Sequence, residues 1–409
     1  MKLFNKNFVL LLLSHSFGML GDYTLMFALP LYILQATGSP AIFGGVMALA
    51  FVPSIIMSPI GGIFADRISK KKMIVAMQVS VSALIFLFIW ASGFVSIVPA
   101  VMVVLMGIYG ILGIGYPAID SSVPQVVPEA QIVRASGIVG FMGQVSEFIA
   151  PMVAGLLFVN VGLMPVVVIS GICYVLAAAM GVLLKIPHVK QERIGNIPQM
   201  IQDDIRVTAR FLSEEKPQMI KIVLVLAMLG LVLIPIVPIG LPILIIGHLG
   251  MSGEMLGFAM GGAIGVGGIV GGILASVVGD KLKMKDCPKL LLFECFVMIP
   301  IGLVFLFNMN QMAAFVIIVA SAGLIMITAT LLMIRVMGYI QVETPEEILG
   351  KVISVLGALM ICTHPLGFFL GGVLFQRLEN TAWAVIFLAA VVSLGITLWS
   401  AQHFRRISS

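Results

Sequence analysis

Charge is what this chain has least of. Only 10% of its 409 residues are Asp, Glu, Lys or Arg, 60% are hydrophobic, and the mean hydropathy is +1.17. A soluble domain carries roughly 25% charged residues, so a water-facing globular protein is excluded and the bilayer is the solvent. Cysteine is also scarce. Cys173, Cys287, Cys295 and Cys362 sit in apolar segments or in a Lys-rich loop, which implies no disulfide framework. Signatures of common chemistry are missing as well. There is no His-Glu-x-x-His, no Gly-x-Ser-x-Gly and no paired-Cys metal spacing, so no integral membrane enzyme is indicated and neither cofactor nor metal is expected. The net charge of +5 would suggest nucleic acid if it formed one patch. It is spread over loops, and nucleic acid is not an expected partner.

What the chain has in abundance is apolar runs. About 20 residues cross the hydrocarbon core, and stretches of that order fall at 8–34, 41–65, 73–92, 96–121, 133–158, 163–184, 219–247, 253–278, 290–307, 312–341, 351–376 and 382–401. The first begins behind a basic start but runs on without a small-residue cleavage site, which marks a retained membrane helix. The spacing therefore predicts an all-α integral membrane fold of twelve transmembrane helices in two pseudo-symmetric six-helix halves, residues 1–185 and 217–409. Between them, 186–216 forms a polar cytoplasmic segment with an amphipathic helix around Met200 to Leu212. With both termini inside, 21 of the 23 basic residues face the cytoplasm, which predicts a multi-pass protein of the plasma membrane with cytoplasmic termini.

The two halves repeat one another. Pro128 to Phe158 aligns without a gap on Pro345 to Phe375 at an offset of 217. Each copy opens on Pro-Glu, meets a basic residue six positions on (Arg134, Lys351) and closes on small residues, Ala154-Gly155 and Gly371-Gly372. One ionisable residue sits at the same place in each, Glu147 in span five and His364 in span eleven. Asp66 and Asp280 form a second pair, each placed just before a basic turn. Two such repeats joined by a loop are an architecture of secondary transporters.

Gly61 to Lys72, GGIFADRISKKK, resembles the loop signature of the major facilitator superfamily; Gly62, Asp66, Arg67, Lys70 and Lys71 match, and Ser69 replaces the second glycine. The resemblance covers the whole chain and implies that this loop helps hold the cytoplasmic side closed. Ser146, Ala150, Pro151, Ala154 and Gly155 resemble the small-residue and proline pattern that antiporters of the superfamily carry in span five. Span eleven repeats it as Thr363, Gly367, Gly371 and Gly372. Small residues let helices approach closely, so these positions are expected to form the packing surface between rocking halves. The pattern implies efflux rather than uptake. Met102 to Tyr116 holds no charge, so the span-four arginine relay of many drug and proton antiporters does not carry over. The whole is similar to the macrolide-efflux-like branch of drug exporters, and siderophore and lysophospholipid transporters share much of the look.

Ionisable residues inside a membrane are costly and mark pathways. Asp22 in span one and Glu147 are candidates to accept a proton or a cationic substrate. A carboxyl alternating between a dry setting and one facing a cation can couple the two. Asp120 and Arg335, at near-equivalent depths in spans four and ten, are expected to pair when the cytoplasmic side closes, with Arg335 as an alternative anion site. His364 is a candidate proton shuttle, and Glu294 at the start of span nine is expected to reach the basic 281–289 loop. Pro235, Pro238 and Pro242 are expected to break span seven, and the 27 methionines would suit bulky hydrophobic substrates if some line a cavity. The expected protein is a monomeric, proton-coupled exporter of hydrophobic or cationic small molecules working by alternating access. The alternatives are a dedicated transporter of a lipid, siderophore or metabolite, or a non-transporting sensor.

Overall fold

The computed structural model describes residues 3–186, 197–278 and 281–405. Asp280 lies outside them, as do the side chains of Gly62, Asp66, Arg67 and Asp120. All regular structure among the described residues is helical, because hydrocarbon offers backbone groups no partner and a helix satisfies them within its own segment. Among the described residues, eleven helical stretches are long and apolar enough to cross a membrane. A bent pair, Arg206–Glu215 and Pro217–Leu233, makes twelve.

The helices divide into two compact units, Met1–Gly38 with Leu49–Ile197, and Ser39–Ala48 with Pro198–Ser409. The first unit holds α1 (Lys6–Thr37), α2 (Pro40–Arg67) beyond its opening turns, α3 (Lys70–Ala91), α4 (Ile97–Asp120), α5 (Ile132–Val161) and α6 (Leu163–Leu183). The second holds the amphipathic α7 (Ile197–Arg210), α8 (Pro217–Leu233), α9 (Gly253–Met260), α10 (Gly267–Val278), α11 (Cys287–Leu306), α12 (Gln311–Glu343), α13 (Glu346–Ile361), α14 (Thr363–Arg377) and α15 (Ala382–Arg405). Packing repeats between the units as the sequence does. In the first, α1 packs on α5 and α6, and α3 on α4 and α6. In the second, α8 packs on α14 and α15, and α11 on α12 and α15.

Three spans of the second unit depart from a regular α-helix, span seven at the prolines expected to break it. Span seven ends as an α-helix at Leu233, passes through a 3-10 turn at Ile234–Ile236 and continues as a π-helical segment, Ile243–His248. Pro235, Pro238 and Pro242 each lack an N–H, so the ladder cannot run through. Span eight changes to π-helix over Gly261–Val266 between α9 and α10. A Cβ on Gly267 or Gly271 would lie 2.6 Å from Met326 Cβ or 2.7 Å from Thr330 Cβ, so α10 lies directly against α12. Span eleven breaks at Cys362, between α13 and α14, whereas its counterpart α5 runs unbroken through Pro151. Pro365 denies Ile361 its i+4 donor, and the new helix starts where a first-turn proline is tolerated.

The basic loop motif after α2 tightens one end of the first unit. Lys70 Nζ donates to the carbonyl of Ser121, the C-cap of α4, at 2.7 Å, and a cation there complements the negative end of the helix dipole. At the opposite end of α2, Gln376 of α14 acts as an acceptor. Its Oε1 takes hydrogen bonds from Ser39 Oγ at 2.7 Å and from the Ala41 N–H at 2.9 Å. Within the second unit Lys216 also pairs with Glu343, tying the start of α8 to the end of α12.

Candidate functional site

The site is built on α1. Asn5 caps it by accepting from the Phe8 N–H at 3.0 Å, and its amide donates to the Val126 carbonyl at 2.6 Å, which ties the helix start to the chain following α4. His15, Met19 and Asp22 follow at i, i+4 and i+7, so they share one face. Gly18 and Gly21 let neighbours close in beside them. A Cβ at Gly18 would lie 2.9 Å from Gln78 Nε2 of α3, and one at Gly21 would lie 3.0 Å from the Tyr174 ring and 3.1 Å from the Ser170 carbonyl of α6. Asp22 is consequently only 2% exposed.

One side chain connects that carboxylate to open space. Tyr116 of α4 donates its hydroxyl to Asp22 Oδ2 at 2.8 Å and lies 3.3 Å from Met19 Sδ. Its ring meets His15 edge-on, at a centroid distance of 6.4 Å and 82°. Tyr116, His15, Met19 and Tyr23 line a cavity of about 600 Å³ whose far side includes Gly143 and Gln144 of α5. Asp22 sits behind this wall with Oδ1 lacking a hydrogen-bond partner among the described residues, as do His15 Nδ1, Gln78 Oε1, Gln144 Oε1 and the Tyr174 hydroxyl. Glu147, half-buried, lies one turn beyond Gly143, and Tyr23 feels the charge of both Glu147 and Asp22. The arrangement can hold a proton at Asp22 and present its hydrogen-bonding state to the cavity through Tyr116. The wall combines aromatic faces and a thioether, which accommodate apolar bodies and attract cations.

With the fold and this cavity established, the known proteins it resembles can be compared. A family model for the Major Facilitator Superfamily matches residues 11–360. The chain belongs to the Major Facilitator Superfamily. Macrolide efflux protein A of Streptococcus pyogenes is 21% identical over 397 residues, covering 94% of this chain and 93% of that protein. Among solved structures, a POT family transporter in complex with a thioalcohol-conjugated peptide superposes with a TM-score of 0.77 at 14% identity, over 98% of this chain and 96% of that one. The nucleoside transporter NupG gives 0.72 at 15% identity over 99% and 100%, and a D-xylose-proton symporter 0.73 at 13% over 94% and 96%. Identities this low show a shared fold. The chain is thus a secondary transporter and not an enzyme.

The remaining candidate residues of this Major Facilitator Superfamily transporter fall as follows. Ser146, Ala150, Pro151, Ala154 and Gly155 make a buried stripe on α5, which lies along α1 in the first unit. In the second unit, Gly367 and Gly371 both face the middle of span seven. A Cβ at Gly367 would lie 2.7 Å from the Leu231 carbonyl, and one at Gly371 would lie 3.2 Å from Pro235. Gly372 faces α2, where its Cβ would fall 2.5 Å from the Pro40 carbonyl. His364 occupies the first turn of α14 with its ring 6.2 Å from Phe368, so the residue matching Glu147 sits at a helix start and not mid-helix. Lys71 lies in the first turn of α3. Arg335 is half-buried on α12 and acts electrostatically on Cys287 of α11, with Nε lacking a partner among the described residues. The expected Asp120 pairing involves a side chain outside the described residues.

Glu294 corrects the sequence reading. It does not reach the basic loop, where Asp286 takes Lys289 at 2.7 Å. It is 2% exposed inside the second unit, because its helix face turns toward α12. Tyr116, His15 and Tyr23 were also missed. Their signal was present as polar tips in otherwise apolar runs, but it becomes specific only once α1 and α4 are known to touch.

Proposed function

We propose that this transporter exports hydrophobic or cationic small molecules, of the macrolide class among others, in exchange for protons. The observation that carries the reading is the Tyr116–Asp22 hydrogen bond at the wall of the first-unit cavity. A volume of about 600 Å³ falls in the range of roughly 300–1,000 Å³ that drug-sized ligands occupy, and a deeply buried carboxyl in a membrane calls for a functional reason. The efflux named in the Streptococcus pyogenes relative supports the direction of transport and the substrate class. Protons are the coupling ion, bound and released at Asp22, with Glu147 as a second acceptor near Tyr23.

The halves 1–185 and 217–409, joined by 186–216, rock about the site in alternating access. The protein works as a monomer in the plasma membrane with both termini in the cytoplasm, the side to which the basic loops point. The test is accumulation of macrolides and lipophilic cations in an efflux-deficient host, with and without a protonophore. Energised extrusion that collapses with the proton gradient is expected. Unaltered accumulation across the whole panel would overturn the proposal.

A further inference from the structure

The second unit buries a carboxyl that this reading does not use. Glu294 of α11 is 2% exposed, Oε1 has no hydrogen-bond partner among the described residues, and the Thr328 hydroxyl of α12 lies beside the carboxyl. Thr328 gives its hydroxyl hydrogen to the carbonyls of Leu324 and Ile325, both at 3.0 Å. A hydroxyl has one hydrogen to donate. With that hydrogen on the carbonyls, Thr328 Oγ1 can accept from a protonated Glu294; turned toward the carboxyl, the same hydroxyl can donate to the ionised form.

The elements packed on α11 are α12, α15 and the 3-10 turn Met284–Asp286. From α12 the facing ionisable group is Arg335, seven residues beyond Thr328 and electrostatically coupled to Cys287, which stands seven residues before Glu294. This antiparallel register sets base and acid two turns apart on one seam, about 10 Å at 1.5 Å per residue. From α15 come the hydroxyls of Ser393 and Thr397, neither with a hydrogen-bond partner among the described residues, and in the turn Asp286 is occupied by Lys289.

The repeat offers an internal comparison. At the offset of 217 that relates the two copies of the duplicated stretch, Glu294 corresponds to Met77, whose side chain lies against α4 at Gly115. An apolar residue therefore suits this seam, whereas an acid there carries a desolvation cost of several kcal/mol if ionised. The two units nonetheless present one arrangement. Each has a buried carboxyl with one oxygen unpartnered and a hydroxyl beside it from the inner helix, Tyr116 on α4 or Thr328 on α12.

We infer that Glu294 is a further proton-binding site of the transporter, in the second unit, exchanging its proton with water during the cycle while Arg335 balances the ionised form. Its place in the cycle rests on the proton-driven reading above. Binding forms one O–H bond on a carboxylate oxygen and release breaks it. The proton passes from and to water, and nothing is oxidised or reduced.

Infrared difference spectra of the full-length protein in lipid nanodiscs, stepped from about pH 5 to about pH 9, read this site with the proton as the only ligand. Wild type should lose several carboxylic-acid C=O components on the upward step. Glu294→Gln should remove one of them, Asp22→Asn should remove a different one, and Glu294→Asp should shift the Glu294 component without abolishing it. A Glu294→Gln spectrum equal to wild type overturns the inference. So does a wild-type spectrum with no titrating component beyond those removed by Asp22→Asn and Glu147→Gln, a result that stands even if the Glu294 variants fail to fold. Since the readout needs no substrate, a titrating Glu294 in a protein whose export ignores proton gradients supports the site and overturns the proton-driven reading alone.

Discussion

The hydroxyl of Tyr116 points at Asp22 Oδ2 from 2.8 Å while its ring forms part of the cavity wall, so a residue of α4 is what joins the buried carboxyl of α1 to the space a substrate would enter. Asp22 does not meet that space directly. On the proposed reading, a signal between Asp22 and the cavity passes through a phenol whose hydrogen bond depends on the state of the carboxyl.

Tyr116→Phe isolates this link because it deletes one oxygen and keeps the ring. A hydrogen bond to a charged group contributes about 1.5–3 kcal/mol, so proton-driven export should fall roughly tenfold to a hundredfold. Folding, read by thermal melting, should weaken by about 1–3 kcal/mol as Asp22 Oδ2 is left unpartnered, so rates are compared well below the melting transition. Rates in everted vesicles check it. A variant as fast as wild type would remove Tyr116 from the coupling path.

The crossing of α2 on α14 depends on glycine. A Cβ at Gly44 would fall 2.4 Å from the Phe368 carbonyl, and one at Gly372 would fall 2.5 Å from the Pro40 carbonyl. In both cases the obstacle is backbone, which cannot step aside as a side-chain end can. Gly372→Val is expected to destabilise the protein by about 1–3 kcal/mol through overpacking. Gln376→Ala, which strips the acceptor from Ser39 and Ala41, should cost about 0.5–1.5 kcal/mol. Melting temperatures should follow that order.

Lys70→Ala removes the cation from the C-terminus of α4. The expected loss is about 0.3–1 kcal/mol. Lys70→Arg should recover most of it, since the partner is a helix-end carbonyl and either cation can approach it. Equal melting temperatures for all three proteins would assign the loop motif's lysine no role in holding α3 to α4.

Much of the fold was legible because hydropathy is a one-dimensional property. Twelve apolar runs, basic residues gathered in alternate loops and a repeat at 217 residues needed no knowledge of neighbours, and the helices pack in matching pairs as the repeat implies. The prolines of span seven announced their break in advance. The break at Cys362 was less legible, because Pro151 and Pro365 look alike in sequence. Only Pro365 sits where the helix gives way. The site was half legible. Asp22 and Glu147 stand out as lone acids in apolar runs, but the partner of Asp22 is 94 residues away and is set by the contact between α1 and α4. Glu294 misled for the opposite reason. Its place near a basic loop suggested a surface residue, whereas helix rotation decides burial, and an almost uniformly apolar helix gives no amphipathic stripe from which to read rotation.

The central claim is that the carboxyl behind Tyr116 carries the proton that drives export. Uptake of a labelled macrolide into everted vesicles under an imposed pH gradient tests it most directly, with Asp22→Asn and Glu147→Gln beside wild type and downhill equilibration as the control. The account predicts that Asp22→Asn loses gradient-driven uptake by at least about tenfold, 1.4 kcal/mol in barrier terms, while downhill movement persists. Gradient-driven uptake at the wild-type rate in both variants would contradict it.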